Sequence, residues 1–188
     1  LPVAHVLARL VMHLVLSGSG VLGFSPNIKN LLPDIQAFKP SVLLVVPRVL
    51  EKVYNAASAK AGGGIKGKMF AWSAKQARTY ALAQEGTFGP SLLKKARHGI
   101  ADALVLKKIR SILGPNLRYI VSGGAPLATD LAQFYSGIGI TLLQGYGLSE
   151  TTGPIAVQHV GKNPVGTVGL PLPGNFIKIA KDGEILVK

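Results

Sequence analysis

The chain has 188 residues, 48% of them hydrophobic, and carries 21 Lys and Arg against 8 Asp and Glu for a net charge of +13. The absence of cysteine excludes a disulfide framework and thiol chemistry, and no apolar run reaches the ~18–20 residues of a membrane span. That length can bury one real core, while a mean hydropathy of +0.36 points to apolar surface covered by further parts of a larger body.

In chain order, residues 5–16 read as a helix that carries Arg9 and His13 and is stopped by Ser17-Gly18-Ser19-Gly20. The continuous apolar character of residues 41–46 predicts a buried strand. Pro47 then opens a helix to about residue 60, since proline is favourable at a first helical position, and Gly62-Gly63-Gly64 breaks it. Residues 68–84 and 91–113 read as two more helices. In the second, Leu92, Ala96, Ile100, Ala103 and Leu104 line one face, and Gly114-Pro115 supplies the stop. Two short β-type runs follow, at 117–121 and 140–143, with a helix over 127–135 between them, which makes a βαβ unit. Beyond residue 152, short strands are expected at 166–170, 175–180 and 184–187, the last two joined as a hairpin by Lys181-Asp182-Gly183.

Each strand of the βαβ unit leads into a glycine-rich segment. The first is Ser122-Gly123-Gly124-Ala125-Pro126-Leu127, the second Gln144-Gly145-Tyr146-Gly147-Leu148-Ser149-Glu150-Thr151-Thr152. Two such loops side by side at the carboxyl edge of a parallel sheet lie where open α/β sheets bind ligands. Glycine lets a ligand approach main-chain N–H groups closely. Tyr146 can stack on a base, Ser149 can hydrogen-bond a phosphate oxygen, and the Glu150 carboxylate suits Mg²⁺, a hard cation bound through oxygen. Taken alone, residues 145–150 read equally well as a tight turn, with Glu150 at the start of a following helix. They are not a dinucleotide fingerprint, because Glu150 stands in place of the third glycine.

The charge is lopsided: residues 39–118 hold fifteen of the basic residues and three of the acidic ones. Such a field attracts polyanions, anionic lipid or nucleic acid. Tyr54, Phe70, Trp72, Tyr80 and Phe88 lie among these bases without regular module spacing, so nucleic acid is not expected as a partner. His13, His98 and His159 have no convergent ligand spacing, and no cluster supplies the four ligands of a zinc site.

The two glycine-rich segments with their flanks resemble the adenylate-forming superfamily of acyl-CoA synthetases, luciferases and peptide-synthetase adenylation domains. Leu1-Pro2-Val3-Ala4-His5 is similar to that family's Leu-Pro-Leu-x-His segment. Pro47-Arg48-Val49-Leu50-Glu51-Lys52, after the apolar run, resembles the Val-Pro-Arg-x-x-Glu-Lys stretch of bacterial long-chain fatty-acid–CoA ligases. The stretches from Val165 to Gly174 and from Gly183 to Val187 are similar to the segment entering the family's β-barrel subdomain. The resemblance runs along all 188 residues.

It implies an α/β fold: part of a layered large domain with a mostly parallel sheet, over residues 1–160 with a basic helical insertion at about 55–114. Residues 161–188 would begin a β-rich subdomain. It implies ATP, Mg²⁺ and CoA as cofactor and co-substrates and a fatty acid as substrate, with which peripheral membrane contact is expected; cytoplasm is the default location. Gly123, Gly124, Ala125 and Pro126 would line the adenine pocket, together with Gln144, Gly145, Gly147 and Leu148, and Tyr146 would stack on the base. Ser149, where the family usually has threonine, would meet the α-phosphate, Glu150 would ligate Mg²⁺, and His5 would lie near the acyl group. Ala8 and Arg9 depart from the family's pattern of glutamate and aromatic gate. The family's phosphate loop, ribose-binding aspartate and C-terminal domain have no counterpart in the sequence, which implies an internal piece of a longer enzyme, inactive alone. Two other functions fit the same residues: an acyl-adenylate ligase serving a carrier protein, and a non-catalytic module that binds anions.

Overall fold

The computed structural model describes residues 3–27 and 29–188; Leu1 and Pro2 of the opening motif lie outside the described residues. The apolar run at 41–46 forms β1 (Val42–Val45), and the later runs form β2 (Tyr119–Ser122) and β3 (Thr141–Leu148). These three strands are parallel and adjacent, with Val45 opposite Ser122 and Ser122 opposite Gln144. Two antiparallel strands, β4 (Gly153–Val157) and β5 (Leu170–Pro171), extend the sheet past β3. The α/β class expected from the sequence is therefore the observed one. A separate hairpin pairs β6 (Ile177–Ile179) with β7 (Ile185–Val187), closed at the expected Asp182-Gly183 turn.

Helices cover the sheet. The first, α1 (Val6–Leu16), starts where the His5 ring accepts a hydrogen bond from the Leu7 amide at 3.2 Å. Next come α2 (Leu31–Phe38), α3 (Pro47–Ala61) with proline in its first turn, and α4 (Gly64–Glu85). The β2–β3 crossover is α7 (Thr129–Gly137). Leu50 of α3, Phe134 and Tyr135 of α7, and Ile120 and Ile140 beside the strands are almost fully buried in one cluster. Tyr135 donates its buried hydroxyl to the Leu50 carbonyl at 2.9 Å, and burial pushes its phenol above the ordinary value. The α4 and α7 backbones approach so closely that a methyl group on Gly137 would run into the Ala77 main chain.

Residues 91–113 fold as α5 (Leu92–Ala101), a π-helical turn (Asp102–Leu106) and α6 (Lys107–Leu113). Here the sequence misleads. Leu92, Ala96, Ile100, Ala103 and Leu104 do share a face, but it is the exposed one. Burial falls instead on Ala101, Leu106, Ile109 and Leu113. Leu92, Ala96 and Ile100 are exposed before the wide turn begins, so the apolar stripe is an outward face of α5 itself, whose inward side carries Ala101 and the half-buried His98. Arg110 fixes the turn through a fork to Asp102 at 2.5 and 2.9 Å and donates to the Ile138 carbonyl at 2.8 Å. That guanidinium holds the Asp102 carboxyl below the usual carboxylate range. His98 stacks on Tyr80 with ring centroids 4.0 Å apart and lies 2.6 Å from the Gly137 carbonyl. Two side chains, His98 and Arg110, thus gather at the end of α7, where helix carbonyls lack internal partners.

Four further differences separate expectation from structure. Helix α2 and strand β4 were not expected, and the stretch 166–170 contributes only Leu170 to a strand. Strand β3 also runs five residues past the predicted end at Leu143, so residues 144–148 belong to a strand rather than a loop. Its extension is held by β4, with Tyr146 opposite Ala156 and a register shift between Tyr146 and Gly147.

Candidate functional site

Side-by-side strand ends bring the two glycine-rich segments together, as the βαβ reading expects. One residue past the Ser122–Gln144 pairing, a methyl group on Gly123 would sit 3.5 Å from the Gly145 carbonyl oxygen and 3.0 Å from a Leu7 methyl. The first turn of α1 therefore packs against the first segment, and a Val6 methyl would lie 3.9 Å from a methyl group on Gly153, just past the second. His5, which caps that helix, is half-buried, and its Nδ1 is occupied by the Leu7 amide, which leaves Nε2 for an outside partner.

The first segment leaves β2 as a turn. Gly123 is buried; Gly124, at φ 80, swings the chain outward, and Gly124, Ala125 and Pro126 are exposed before Leu127 returns to the core. Ser122 is fully buried, and its hydroxyl has no hydrogen-bond partner among the described residues. The second segment keeps Gln144, Gly145, Tyr146 and Gly147 half-buried on β3 and exposes Leu148, Ser149 and Glu150. Gly147 is required by packing, since a methyl group there would strike the Gly153 carbonyl of β4.

A tight turn joins β3 to β4. Thr151 organises it: its hydroxyl lies 3.0 Å from both the amide and the carbonyl of Leu148 and 2.9 Å from the Gly153 carbonyl. The Thr152 amide closes the turn on the Ser149 carbonyl at 3.1 Å. Ser149 and Glu150 are thereby held at the apex, and Glu150 makes no ion pair among the described residues. No helix follows Glu150, which removes the helix-start reading of its carboxylate.

Gln158 escaped the sequence reading. Only 4% exposed, it accepts from the Gln144 amide at 2.8 Å and donates to the Pro164 and Thr167 carbonyls at 2.8 and 3.0 Å. Its own amide donates to the Gln144 carbonyl at 2.9 Å. One side chain thus pins the strand below Tyr146, the end of β4 and the loop before β5. A cavity of about 10 Å³, room for about one water, lies beneath it between Ser136, Leu142 and Asn163. An open cleft of about 550 Å³ between Lys39, Ser41, Asn116 and Arg118 lies at the opposite, amino edge of β1 and β2.

No three His, Cys, Asp or Glu side chains converge on a metal position among the described residues. The donor set fits a different arrangement. Mg²⁺ is commonly held by one or two carboxylates plus substrate phosphates, and Glu150 offers one such carboxylate at an exposed apex beside a hydroxyl. The exposed turn at Gly124 to Pro126 and the half-buried Tyr146 are compatible with a nucleotide lying across the strand ends.

Comparison with known proteins gives one family. The AMP-binding enzyme family matches residues 1–187. A long-chain-fatty-acid–CoA ligase, FadD15 of Mycobacterium bovis, is 48% identical over the whole of this chain and 31% of its own length. Long chain acyl-CoA synthetase 3 of Arabidopsis thaliana is 35% identical over 98% of this chain and 28% of its length. The chain thus spans about a third of the curated relatives it matches. Among solved structures, the N-terminal domain of FACL13 from Mycobacterium tuberculosis superimposes with a TM-score of 0.57 at 16% identity, over 99% of this chain and 36% of that one. At that identity the likeness speaks for the fold.

Proposed function

The chain belongs to the AMP-binding enzyme family, and from that premise we propose that it is the nucleotide-gripping part of a long-chain fatty-acid–CoA ligase. The observation that carries the reading is the register of Ser122 against Gln144, which sets the Gly123–Ala125 turn beside Tyr146 with Glu150 at the next apex. The names of the relatives that match along the whole chain favour CoA over a carrier protein as acceptor. The proposed reaction has two steps. A fatty-acid carboxylate oxygen attacks the α-phosphorus of ATP, and pyrophosphate leaves. The CoA sulfur then attacks the acyl carbon, its proton goes to solvent, and AMP leaves.

Each proposed role is local. Gly123, Gly124, Ala125 and Pro126 flank the adenine, with Gln144, Gly145, Gly147 and Leu148 forming the opposite wall and Tyr146 supplying a stacking face. Ser149 donates its hydroxyl to the α-phosphate. Bound through Glu150, Mg²⁺ would neutralise charge that develops on the phosphate oxygens. His5 presents Nε2 toward the acyl end. None of these groups needs to act as a nucleophile: the chain contributes placement and fixed electrostatics. Residues 161–188 begin a second, β-rich subdomain, a reading supported by the hairpin that stands apart from the main sheet. The protein works in the cytoplasm against a membrane surface, its fatty substrate being a lipid. Among the described residues no helix is long and apolar enough to cross a membrane.

The test is Glu150→Gln in the full-length protein, assayed by fatty-acid-dependent ATP–pyrophosphate exchange. Loss of one preorganised electrostatic contact predicts a fall of roughly 10²–10³ in rate. Because Glu150 is exposed and unpaired among the described residues, the melting temperature should stay within error. Exchange at the wild-type rate overturns the assigned role.

A further inference from the structure

The stripe that the sequence placed along one helical face, and that the structure turns outward, has a use. Leu92 is 85% exposed, Leu93 59%, and Ile100 55%, with Ala96 between them. At about 100° per residue these four fall within an arc of roughly 100°. Lys95 borders that arc on one side and Arg97 on the other, both exposed. Phe88, in the loop before α5, is completely exposed. The opposite side of the helix carries Ala101 and His98, which pack inward. An isolated exposed leucine requires no explanation, but an apolar stripe with a basic border on each side is unusual for free solvent.

We propose that α5 is a docking surface for an anionic lipid bilayer, with Phe88, Leu92, Leu93 and Ile100 entering the headgroup boundary and Lys95 and Arg97 meeting lipid phosphates. Charge selects this occupant. Lys94, Lys95, Arg97, Lys107 and Lys108 are all exposed along the segment, and its one acid, Asp102, is held by Arg110. A second copy meeting the same stripe across a two-fold axis would set lysine and arginine against their own kind. A bilayer carrying negative headgroups satisfies both components, since surface-lying helices combine an apolar face with basic flanks. The inference rests on the membrane contact proposed above and is independent of the ligase reaction.

The experiment is flotation of the full-length protein with phosphatidylcholine vesicles, with and without phosphatidylglycerol. Wild-type protein should bind the anionic vesicles, release with added salt and ignore the neutral ones. Lys95→Gln with Arg97→Gln should weaken binding roughly thirty-fold, taking about 1 kcal/mol per basic residue near an anionic surface. Leu92→Ser with Leu93→Ser should weaken it by at least roughly ten-fold, as two anchoring side chains are lost. Acyl-CoA formation from detergent-dispersed fatty acid should be unchanged in both double variants. Failure of the wild type to bind overturns the proposal, as does equal binding by either double variant. A change of oligomeric state in the leucine variant with unaltered flotation assigns the stripe to a second copy and overturns it too. Loss of acyl-CoA formation in wild-type protein would sink the ligase reading while leaving the flotation result to stand.

Discussion

Gln158 and Thr151 hold the strand and the turn that carry Tyr146, Ser149 and Glu150. Those three stand out in the sequence as a ring, a hydroxyl and a carboxylate among glycines, a pattern that suits a ligand loop and a tight turn alike. Gln158 gives no such signal: it is a single polar residue after an apolar run, and its worth appears only when Pro164 and Thr167 fold back onto it. Thr151 lay within the quoted motif, yet its service to Leu148 and Gly153 depends on β4, which the sequence reading lacked. Buried amides are costly to strand without partners. Gln158→Leu should therefore destabilise the protein by about 2 kcal/mol, because it orphans the Gln144 amide and two carbonyls. Denaturant midpoints of the two proteins measure this. Gln158→Glu keeps an acceptor for Gln144 but sets a buried carboxylate against the Pro164 and Thr167 carbonyl oxygens, and should destabilise at neutral pH at least as much.

At the scale of elements, apolar runs and glycine or proline stops placed β1, β2, α3 and α7 closely. The errors have physical causes. Strand β3 continues through Gly145-Tyr146-Gly147 because β4 is there to pair with it, and pairing partners distant in sequence are invisible to local pattern. The α5 stripe misled because apolar residues at helical spacing do not say whether their face turns inward, and here the inward side carries Ala101 and the half-buried His98. Close packing between α4 and α7 was equally hidden, since Gly137 reads as an ordinary helix end. With the Ala77 main chain against it, Gly137→Ala should cost about 1–3 kcal/mol through forced separation of the two helices. A thermal melt tests this, and an unchanged midpoint would mean that the helices part without cost.

Across the whole molecule, Tyr135 ties the layers, reaching from α7 to the Leu50 carbonyl of α3 through the centre of the core. Its folded-state pKa lies above the value of about 10 expected in an unfolded chain. The sign follows from proton binding: the unfolded chain releases this proton first, so stability is complete below about pH 10 and declines as pH rises beyond it. Tyr135→Phe should lose about 1 kcal/mol at neutral pH with the hydrogen bond, yet show a shallower decline in alkali. Denaturant titrations on either side of that pH would show both effects, and parallel alkaline declines would deny the buried phenol its part. The gross class, a parallel α/β sheet leading into a hairpin, was available from sequence because strand, helix and strand alternate over 117–143. Which helical surfaces faced inward was not, since that depends on how α4, α5 and α7 meet.

A π turn accommodates a residue that an α-helix of the same path would not hold. Removing one residue between Ala101 and Lys107 would close the turn to an ordinary α-helix along that path, so Ile109 and Leu113 would still face the core that now receives them. The deletion would be felt at the joint itself, where the Asp102–Arg110 fork spans the wide turn. A related chain one residue shorter at this point would keep its greasy ridge on the same flank and lose only the swelling in the rod.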